Sequence, residues 1–521
     1  MGKRAGTMRE IAVIGATGYV GARLVPALLN EGHVVRALGR STRKIAGRPY
    51  AAHRNLRIAH ADVMDEASLC AALEGVGVAY YLVHSMNAAT RDYAAADRAA
   101  AENMAKAAAR AGVARIIYLG GLGKAADRLS RHLHSRTEVG ALLSRGSVPA
   151  TWLRAAMILG SGSASFEIMR YLVDRLPVMI VPRWVDTKCQ PIAIANVVDY
   201  LVGCLHSAET AGRSFDIGGP DVLSYGELFD IYAEEAKLPK RRRLHVPFFT
   251  PALSARWIHL VTPVPASIGK PLAEGLRNEA VCTEEAIRAC VPVRLISCRE
   301  AIREALADTR EDRVVSCWSD AGDIRPPAMI SPGDPGYAGG TVLEMSYACL
   351  AEGATAPLWK EVVAVGGTTG WLYLDGLWRL RGWFDRLIGG VGLNRGRRQG
   401  GVLAPGDALD CFRVLGLVEN RLLLLRFNMR LPGEAVLRIA LEEEGPDLVR
   451  LRLSALFRPR GLGGLVYWAL LKPAHRHLFK GLLRTLVRRA HLSLREPPTS
   501  YEGGREVCVL PETEGRRGGS R

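Results

Sequence analysis

The glycine spacing near the amino terminus predicts a binding site for a phosphate-bearing ligand. After the apolar run 11–14 come three glycines at intervals of three residues, and a helical pattern follows through residue 29. The first glycine permits a tight turn, the second lets the backbone approach a pyrophosphate, and the third lets the helix pack close to the strand. The N–H groups at the start of that helix would face the phosphates. The predicted phosphate-binding residues of this turn are Gly15, Thr17, Gly18, Tyr19, Val20 and Gly21.

A basic residue after the second predicted strand bears on which dinucleotide binds. An Asp or Glu at this point usually accepts the ribose 2′-OH, but this chain has Arg40, with Ser41 and Arg43 beside it. A guanidinium favours the 2′-phosphate of NADP(H), which it can bind through two hydrogen bonds. The sequence therefore predicts NADP(H) as the preferred cofactor, with NAD(H) as the second choice. An ordinary solvated arginine is the alternative interpretation.

Two further pairs of residues follow the third and fourth predicted strands. Asp62 and Val63 are expected beside the adenine ring. His84 and Ser85 are expected on the nicotinamide side. These four residues complete the predicted cofactor site, because the carboxyl ends of parallel strands meet at one edge of a sheet.

A regular alternation of strands and helices would position these residues. The predicted strands are 11–14, 33–38, 57–61, 78–83, 115–119 and 150–155. Strands that alternate with helices at this spacing form a parallel sheet covered by helices on both faces. The predicted fold class is α/β, a doubly wound parallel Rossmann sheet followed by an α+β domain.

Changes of composition predict four segments. We expect a nucleotide-binding domain at 8–235, a mainly helical, proline-punctuated annex on the substrate side at 236–318, an α+β domain at 319–492 and a disordered tail at 493–521. Antiparallel strands and then a long helix, broken or begun afresh at Pro473, are predicted for the α+β domain. The tail is rich in Pro, Gly and charge, which is typical of mobile chain ends.

The first half of the chain resembles the atypical short-chain dehydrogenase/reductase family, of the NmrA/epimerase-like kind. The matching segments are Gly15-Ala16-Thr17-Gly18-Tyr19-Val20-Gly21, Asp62-Val63, Leu153-Arg154-Ala155 and Phe215-Asp216-Ile217-Gly218-Gly219-Pro220. The resemblance implies an NAD(P)-binding fold. It also implies catalysis by a serine at the end of the fifth strand and a Tyr-x-x-x-Lys pair on the next helix, in which the tyrosine exchanges a proton.

This chain departs from the family at each catalytic position. Gly120 and Gly121 stand where the serine would be, and in the family register His132 replaces the tyrosine and Arg136 the lysine. An imidazole can exchange a proton near neutral pH, and Arg136 could hold the ribose or a phosphate. His132 and Arg136 are therefore the candidate catalytic residues, with an ordinary surface histidine as the alternative for His132.

The second half resembles DUF2867, a domain of unknown function found behind such modules in bacterial proteins. The matching segments are Gly366-Gly367-Thr368-Thr369-Gly370-Trp371, Leu377-Trp378, Arg381-Gly382, Asp385, Gly389-Gly390, Arg397 and Gly406-Asp407 with Asp410. The resemblance implies a helix-grip, START-like fold. Strands curled around a long helix often enclose an apolar ligand, so we expect a small apolar ligand here, while the tryptophans fit a packed core at least as well.

The net charge of +17 is concentrated near the carboxyl end, where 448–495 contains eleven basic and no acidic residues. Basic side chains recur every four residues from Lys472 to Arg488, with apolar residues on the other side of the predicted helix. One interpretation is docking of the 472–489 helix on an anionic membrane surface. The other is a helix whose apolar side covers the sheet. Nucleic acid is not an expected partner, because no reading element accompanies the basic runs.

The overall composition narrows the class of protein. The chain has 521 residues, 48% of them apolar, and no uninterrupted apolar run long enough to span a membrane. Ten scattered cysteines without a C-x-x-C pair predict neither a disulfide scaffold nor a metal site. We expect a cytoplasmic protein, peripheral at the inner membrane if the basic helix docks there, starting at Met1 or Met8. A homodimer is a further expectation, common for such modules.

Two functions are compatible with these residues. The first is an NADP(H)-dependent oxidoreductase of the atypical short-chain class, acting on an unidentified apolar small molecule. The second is a non-catalytic NADP(H) sensor or carrier, which the missing serine and tyrosine favour.

Overall fold

A computed structural model describes residues 10–83, 93–123, 129–246, 251–262, 264, 266–310, 314–316, 342–393, 403–445 and 447–501. They form two compact units, the first within 10–316 and the second within 342–501. The predicted boundary at residue 319 falls outside the described residues. In the part of the chain that is described, no helix is long and apolar enough to cross a lipid bilayer.

The strands of the first unit alternate with helices, as the sequence pattern predicts. The strands are β1 (Glu10–Ile14), β2 (Val35–Gly39), β3 (Leu56–His60), β4 (Val76–Tyr81), β5 (Arg115–Gly121), β6 (Ala150–Ala155), β7 (Ile158–Leu159), β8 (Val178–Val181), β9 (Lys188–Cys189), β10 (Ile192–Ala193), β11 (Ser214–Ile217), β12 (Leu223–Ser224) and β13 (Arg242–His245). Seven of them form a parallel sheet in the order β11-β6-β5-β4-β1-β2-β3. The predicted doubly wound α/β fold is confirmed.

Helices cover both faces of this sheet because alternate residues of each strand point to opposite sides. The helices are α1 (Gly21–Asn30), α2 (Thr42–Ala46), α3 (Glu66–Leu73), α4 (Tyr93–Arg110), α5 (Arg131–Arg145), α6 (Ala164–Arg175), α7 (Ile194–His206), α8 (Tyr225–Glu235), α9 (Pro251–Val261), α10 (Ala266–Gly275), α11 (Ile287–Cys290) and α12 (Cys298–Arg310). Ile11 and Val13 of β1 pack in the core cluster shared with α1 and α7. Ala12 and Ile14 pack in the cluster shared with α4.

The predicted annex at 236–318 is not separate from the nucleotide-binding core. Helix α12 returns to pack on α8, and Ile302 and Ala305 lie in the same apolar cluster as Phe166 and Tyr232. Strand β13 pairs in parallel with β8. The two predicted segments therefore share one core.

The second unit is an antiparallel sheet with helices. Its elements are β14 (Leu343–Glu352), α13 (Thr355–Val363), α14 (Asp375–Leu387), β15 (Ala408–Leu409), β16 (Phe412–Val418), β17 (Leu422–Phe427), β18 (Gly433–Gly445), β19 (Leu448–Pro459), α15 (Gly461–Arg489) and β20 (Ser493–Ser500). The strand order is β15-β16-β17-β18-β19-β14-β20. Apolar and basic residues alternate along β19, where Val449, Leu451 and Leu453 are fully buried and Arg450 and Arg452 are half-buried.

Helix α15 runs through Pro473 without a break, which corrects the predicted interruption. Proline leaves the carbonyl four residues earlier without its helical partner. Both Pro473 and that residue, Ala469, are exposed, so water can solvate the freed carbonyl. The carboxyl half of α15 buries Leu482, Leu483 and Leu486 in the core that it shares with the sheet. The structure thus matches the interpretation in which the apolar side of 472–489 covers the sheet.

The prediction of a disordered tail from residue 493 is wrong for its first eight residues. Ser493–Ser500 is strand β20, which pairs antiparallel with β14 at the edge of the sheet. Ion pairs of Arg495 with Glu352 and of Glu496 with Arg450 fix it there. Pro497 and Pro498 suit an edge strand, because an edge strand needs only one row of hydrogen bonds. Residues 502–521 lie outside the described residues.

Removing β20 tests its role in the second unit. A chain ending after Leu492 exposes the edge of β14, and we expect its melting temperature to fall by ~5 °C or more, since each kcal/mol is worth ~2–4 °C in a domain of this size. Aggregation should rise because an open edge pairs with other chains. A chain ending after Tyr501 is the control and should melt like the full chain. Equal melting of both truncations would show that β20 adds nothing to stability.

Candidate functional site

The carboxyl ends of the parallel strands form one edge of the first unit. The strand order reverses between β1 and β4, since the chain moves outward in one direction from β1 to β3 and in the other from β4 to β6. A crevice opens at such a reversal, and it is where open α/β sheets bind ligands. The glycine turn after β1 lies at this point.

Gly15 can be only glycine, because it has a φ of +92° and a Cβ added to it would lie 2.9 Å from the Leu82 carbonyl oxygen. Its N–H donates to the Leu38 carbonyl of β2 at 3.2 Å. A Cβ on Gly21 would overlap the Gly15 carbonyl oxygen. Helix α1 therefore begins directly against the turn, and the predicted roles of these two glycines agree with the geometry.

Tyr19 and the neighbouring Arg23 tie the turn to the rest of the unit. The Arg23 guanidinium lies over the Tyr19 ring, 4.4 Å from its centre, and donates to the Ser161 carbonyl at 2.9 Å. The Ser316 hydroxyl donates to the Tyr19 carbonyl at 2.7 Å, and Ser316 also accepts from Arg23. The segment 314–316 thus lies beside the glycine turn. Sequence analysis missed this contact, since nothing local connects residue 316 to residue 19.

Residues after β2 carry the predicted cofactor selectivity. Gly39 ends β2 close to Thr17, where an added Cβ would lie 3.6 Å from the Thr17 methyl carbon. Arg40 follows immediately and is exposed, as is Arg43 in the first turn of α2. Ser41 is the residue before α2. The structure thus brings the end of β2 next to the glycine turn and leaves the Arg40 side chain in solvent.

Of the four remaining predicted cofactor residues, the structure describes Asp62 and Val63. Asp62 and Val63 follow β3 at the same edge and are half-buried. The Asp62 carboxylate accepts from the Met64 N–H at 3.0 Å. The backbone N–H of Asp62 donates to the Ser68 hydroxyl. This short turn orients the carboxylate. His84 and Ser85 lie outside the described residues.

The packing of Trp152 explains why residue 120 is glycine and not serine. A Cβ on Gly120 would lie 2.6 Å from the Trp152 ring nitrogen, and one on Gly140 of α5 would overlap the same ring. Trp152 is therefore held between two glycines, one on β5 and one on α5. A serine at Gly120 cannot be accommodated unless the ring moves.

Arg136 is buried in an ion pair, which the sequence did not indicate. Its Nη2 lies 2.8 Å from Oδ2 of Asp97 on α4, and its Nη1 donates to the Val83 carbonyl at 3.1 Å. The Ser135 hydroxyl donates to the same carboxylate oxygen at 2.9 Å. The predicted role of Arg136 in holding a ribose is not supported by this geometry, because the guanidinium is turned inward to join α4, α5 and the end of β4. Asp97 could have been noticed as the single acidic residue in the first half of an alanine-rich helix.

His132 lies one turn before Arg136 on α5 and is partly buried. Burial and then the nearby Arg136 charge lower the pKa of His132 to about 4. Both effects act against the charged imidazolium form. The imidazole is therefore neutral near pH 7.

One set of side chains with metal-ligand chemistry lies at the opposite edge of the sheet, although the sequence predicted no metal site. Glu31, His33 and His206 bring their ligand atoms within 4.8 Å of one another. The Glu31 carboxylate already lies 2.9 Å from the His206 nitrogen and 3.3 Å from the His33 nitrogen. These contacts account for the cluster as a carboxylate shared by two imidazoles.

Comparisons with protein families divide the chain in the same way as the structure. Residues 7–167 match the NmrA-like family. Residues 337–482 match DUF2867, a family described as a protein of unknown function.

Curated relatives match up to half of the chain. Subunit 9 of the NADH dehydrogenase 1 alpha subcomplex from Arabidopsis thaliana mitochondria is 25% identical over 273 residues, which is 50% of this chain and 66% of the relative. The chloroplastic divinyl chlorophyllide a 8-vinyl-reductase of Zea mays is 27% identical, over 44% of this chain and 61% of the relative. The 3β-hydroxysteroid dehydrogenase/Δ5→4-isomerase of Mycobacterium tuberculosis is 32% identical, over 21% of this chain and 30% of the relative. The chain spans less than two thirds of the length of each of these relatives.

Solved structures also resemble part of the chain. The Citrobacter sp. triphenylmethane reductase complexed with NADP(H) has a TM-score of 0.47 and 19% identity, covering 57% of this chain and 99% of that one. A nucleoside-diphosphate-sugar epimerase from Staphylococcus aureus has a TM-score of 0.46 and 16% identity, covering 57% of this chain and 100% of that one.

The two family matches correspond to the two compact units, and the glycine turn at the strand reversal lies within the first match. The first unit contains the segment that matches the NmrA-like family, 7–167, and the second unit contains the segment that matches DUF2867, 337–482.

Proposed function

We propose that the first unit binds NADP(H) in preference to NAD(H), and that the chain is an oxidoreductase-like protein acting on a small apolar molecule. The observation that carries the proposal is the turn at Gly15, whose backbone packs against β2 and β4 at the strand reversal. Gly18 keeps the turn open to a pyrophosphate, since a Cβ there would meet only the Gly15 carbonyl oxygen within 4 Å. The start of α1 supplies N–H groups and a partial positive charge to the phosphates.

Arg40 supports the choice of NADP(H). It directly follows the last residue of β2, and its exposed side chain is at the place where a ribose 2′-substituent would lie. A guanidinium can pair with a 2′-phosphate through two hydrogen bonds, whereas a 2′-OH gives it little charge to attract. Arg43, in the first turn of α2, adds a second positive charge near the same point.

Hydride transfer from NADPH would be the chemistry that the bound cofactor supplies. This chain's own residues must then orient the substrate and deliver any proton. His132 is a poor acid at neutral pH, because its protonated form predominates only below about pH 4. Arg136 joins α4 and α5 through Asp97, and its other nitrogen donates to the Val83 carbonyl just after β4. The Ser–Tyr–Lys route of carbonyl reduction is therefore not the mechanism that we propose.

The packing around the expected catalytic positions favours the second candidate, a non-catalytic NADP(H) sensor or carrier. Trp152 fills the space of the serine, and the Arg136 guanidinium is committed to Asp97. Cofactor binding does not require either group. In this candidate the second unit responds to the cofactor by a change in its own ligand binding, and we propose an apolar ligand for it. We also propose that the chain acts in the cytoplasm and forms a homodimer.

Replacing Arg40 by alanine tests the choice of cofactor. We expect the wild-type chain to bind NADPH at least ~10-fold more tightly than NADH, and Arg40→Ala to lose that preference, since a charge-assisted pair is worth ~1.5–3 kcal/mol. Fluorescence titration with each nucleotide measures both affinities. Arg145→Ala, at the exposed end of α5, is the matched control and should keep the preference. No binding of either nucleotide would refute both candidate functions.

Turnover separates the two candidates once binding is established. NADPH oxidation is followed by absorbance with a panel of apolar carbonyl and conjugated compounds. A substrate with steady turnover supports the enzyme. Tight NADPH binding without turnover, combined with a cofactor-dependent change in binding of a fluorescent fatty acid, supports the sensor.

The lowered pKa of His132 predicts an acid-sensitive stability. Its pKa is about 4 in the folded chain and about 6.5 when unfolded, so between these values the unfolded state binds the extra proton. Stability contributed by the neutral imidazole is fully present above pH 6.5 and is lost as the pH falls towards 4, by about 3 kcal/mol at most. Thermal melts of wild type and His132→Gln over this range should show a smaller pH slope in the variant. His134→Gln, on the exposed side of the same turn, should keep the wild-type slope, and an unchanged slope in His132→Gln would contradict the assignment.

A further inference from the structure

Helix α14 of the second unit presents an apolar stripe to solvent. Its inner side is buried, with Trp378 packed on Trp371 and the Asp385 carboxylate fully enclosed. Large apolar side chains 50–57% exposed occupy the outer side and the residue just after it: Leu377, Leu380, Trp383, Phe384, Leu387 and Ile388. They recur every three or four residues, which places them on one face. Among the described residues of the second unit, these side chains remain half or more exposed.

The first half of α15 presents a second stripe of the same kind. Trp468 points inward and stacks on Phe457, with ring centres 5.5 Å apart. The outward residues Leu462, Leu465, Val466 and Leu470 are 42–76% exposed. We refer to the outward residues of α14 and of this half of α15 together as the apolar face.

One turn of the chain joins the two stripes. The Arg430 carbonyl accepts from the Arg381 guanidinium of α14, and the Arg430 N–H donates to Asp385 at 2.7 Å. Two residues later, the Pro432 carbonyl accepts from the Arg460 N–H, directly before α15, at 2.8 Å. Both helices are thus fixed to the turn at 430–432, so each stripe belongs to a helix held by the same turn.

Positive charge borders the apolar face. Helix α15 contains six basic and no acidic residues. Along its solvent side the outward residues change from leucine and valine before residue 471 to Lys472 and Arg476 after it. On α14 one carboxylate is buried and the other, Asp375, is paired with Arg379.

We propose that the second unit docks on an anionic lipid bilayer through this apolar face. Leucine and aromatic side chains on one helix face, flanked by Lys and Arg, are the composition with which helices lie in the membrane interface, and tryptophan is enriched there. The basic side chains bind the lipid phosphates and retain the protein at the surface. The docking surface differs from the one that the sequence suggested, because the apolar side of 478–487 is buried in the core.

A second copy of the chain is the competing occupant, and the charge disfavours it. A two-fold dimer through this face would place Lys472 and Arg476 of both copies at the border of one interface. Like charges across an interface are repulsive, whereas an anionic lipid surface neutralises them.

Vesicle flotation of the full chain tests the proposal. We expect binding to phosphatidylcholine vesicles that contain phosphatidylglycerol and weaker binding to phosphatidylcholine alone. The triple variant Leu380→Ser, Phe384→Ser, Leu387→Ser should reduce binding by ~10-fold or more, because it replaces three of the six outward apolar side chains of the α14 stripe with polar ones. Lys472→Glu with Arg476→Glu should abolish the preference for the anionic vesicles. An unchanged melting temperature checks that each variant folds, which is expected because these side chains are largely exposed.

Matched controls locate the surface. Leu244→Ser and Val222→Ser change exposed apolar residues of the first unit and should leave binding unaltered. Brominated lipids should quench Trp383 in the wild type, and Trp383→Phe should keep binding while losing that quenching.

Two results would overturn the proposal. Absence of vesicle binding by the wild-type chain is one. The other is a wild-type dimer in analytical ultracentrifugation that the serine variant converts to a monomer without any vesicle binding, which would assign the face to a second copy.

Discussion

The close packing around Gly15 is the constraint on which the first unit depends. The peptide at this residue lies between β2 and β4, with its N–H bonded to Leu38 and its Cα facing the Leu82 carbonyl. Helix α1 can start where it does only because Gly21 has no side chain to strike the Gly15 carbonyl. The ends of three strands and the start of one helix therefore converge within a few ångströms. A side chain at Gly15 would strike the Leu82 carbonyl, and one at Gly21 would push the start of α1 away from the turn.

Close to this turn, the positions expected to be catalytic from the resemblance to short-chain dehydrogenase/reductases form a packed structure. Trp152 occupies the space between Gly120 and Gly140, and Arg136 is neutralised by Asp97 at 2.8 Å. Burial and the charge of Arg136 keep His132 neutral. These changes depend on one another, because Trp152 needs both glycines and a buried guanidinium needs its carboxylate. A serine at Gly120 or a tyrosine at His132, introduced as a single substitution, would therefore have to fit among side chains packed for the present residues.

The second unit shows how one helix can serve two environments along its length. The carboxyl half of α15 buries its apolar side against the sheet and exposes basic residues. The amino half exposes leucines instead, beside the equally apolar outer side of α14. Asp385 holds this arrangement together, because its buried carboxylate accepts from the N–H groups of Gly392 and Arg430 and so anchors the segments on both sides of α14's end. The core supplies the rigidity, and the outward stripes remain available for a partner.

The sequence by itself determined the local features: the strand–helix alternation, the glycine turn, the position of Arg40 after β2 and the antiparallel strands of the second unit. Each of these is encoded by neighbouring residues, through periodicity and backbone freedom. The tertiary structure alone decided which distant residues meet. Asp97 pairs with Arg136 across two helices, β20 pairs with β14 although about 140 residues separate them in the chain, and Ser316 returns to Tyr19. It also decided which side of each amphipathic helix is covered, because periodicity shows that a helix has an apolar face but not what packs against it.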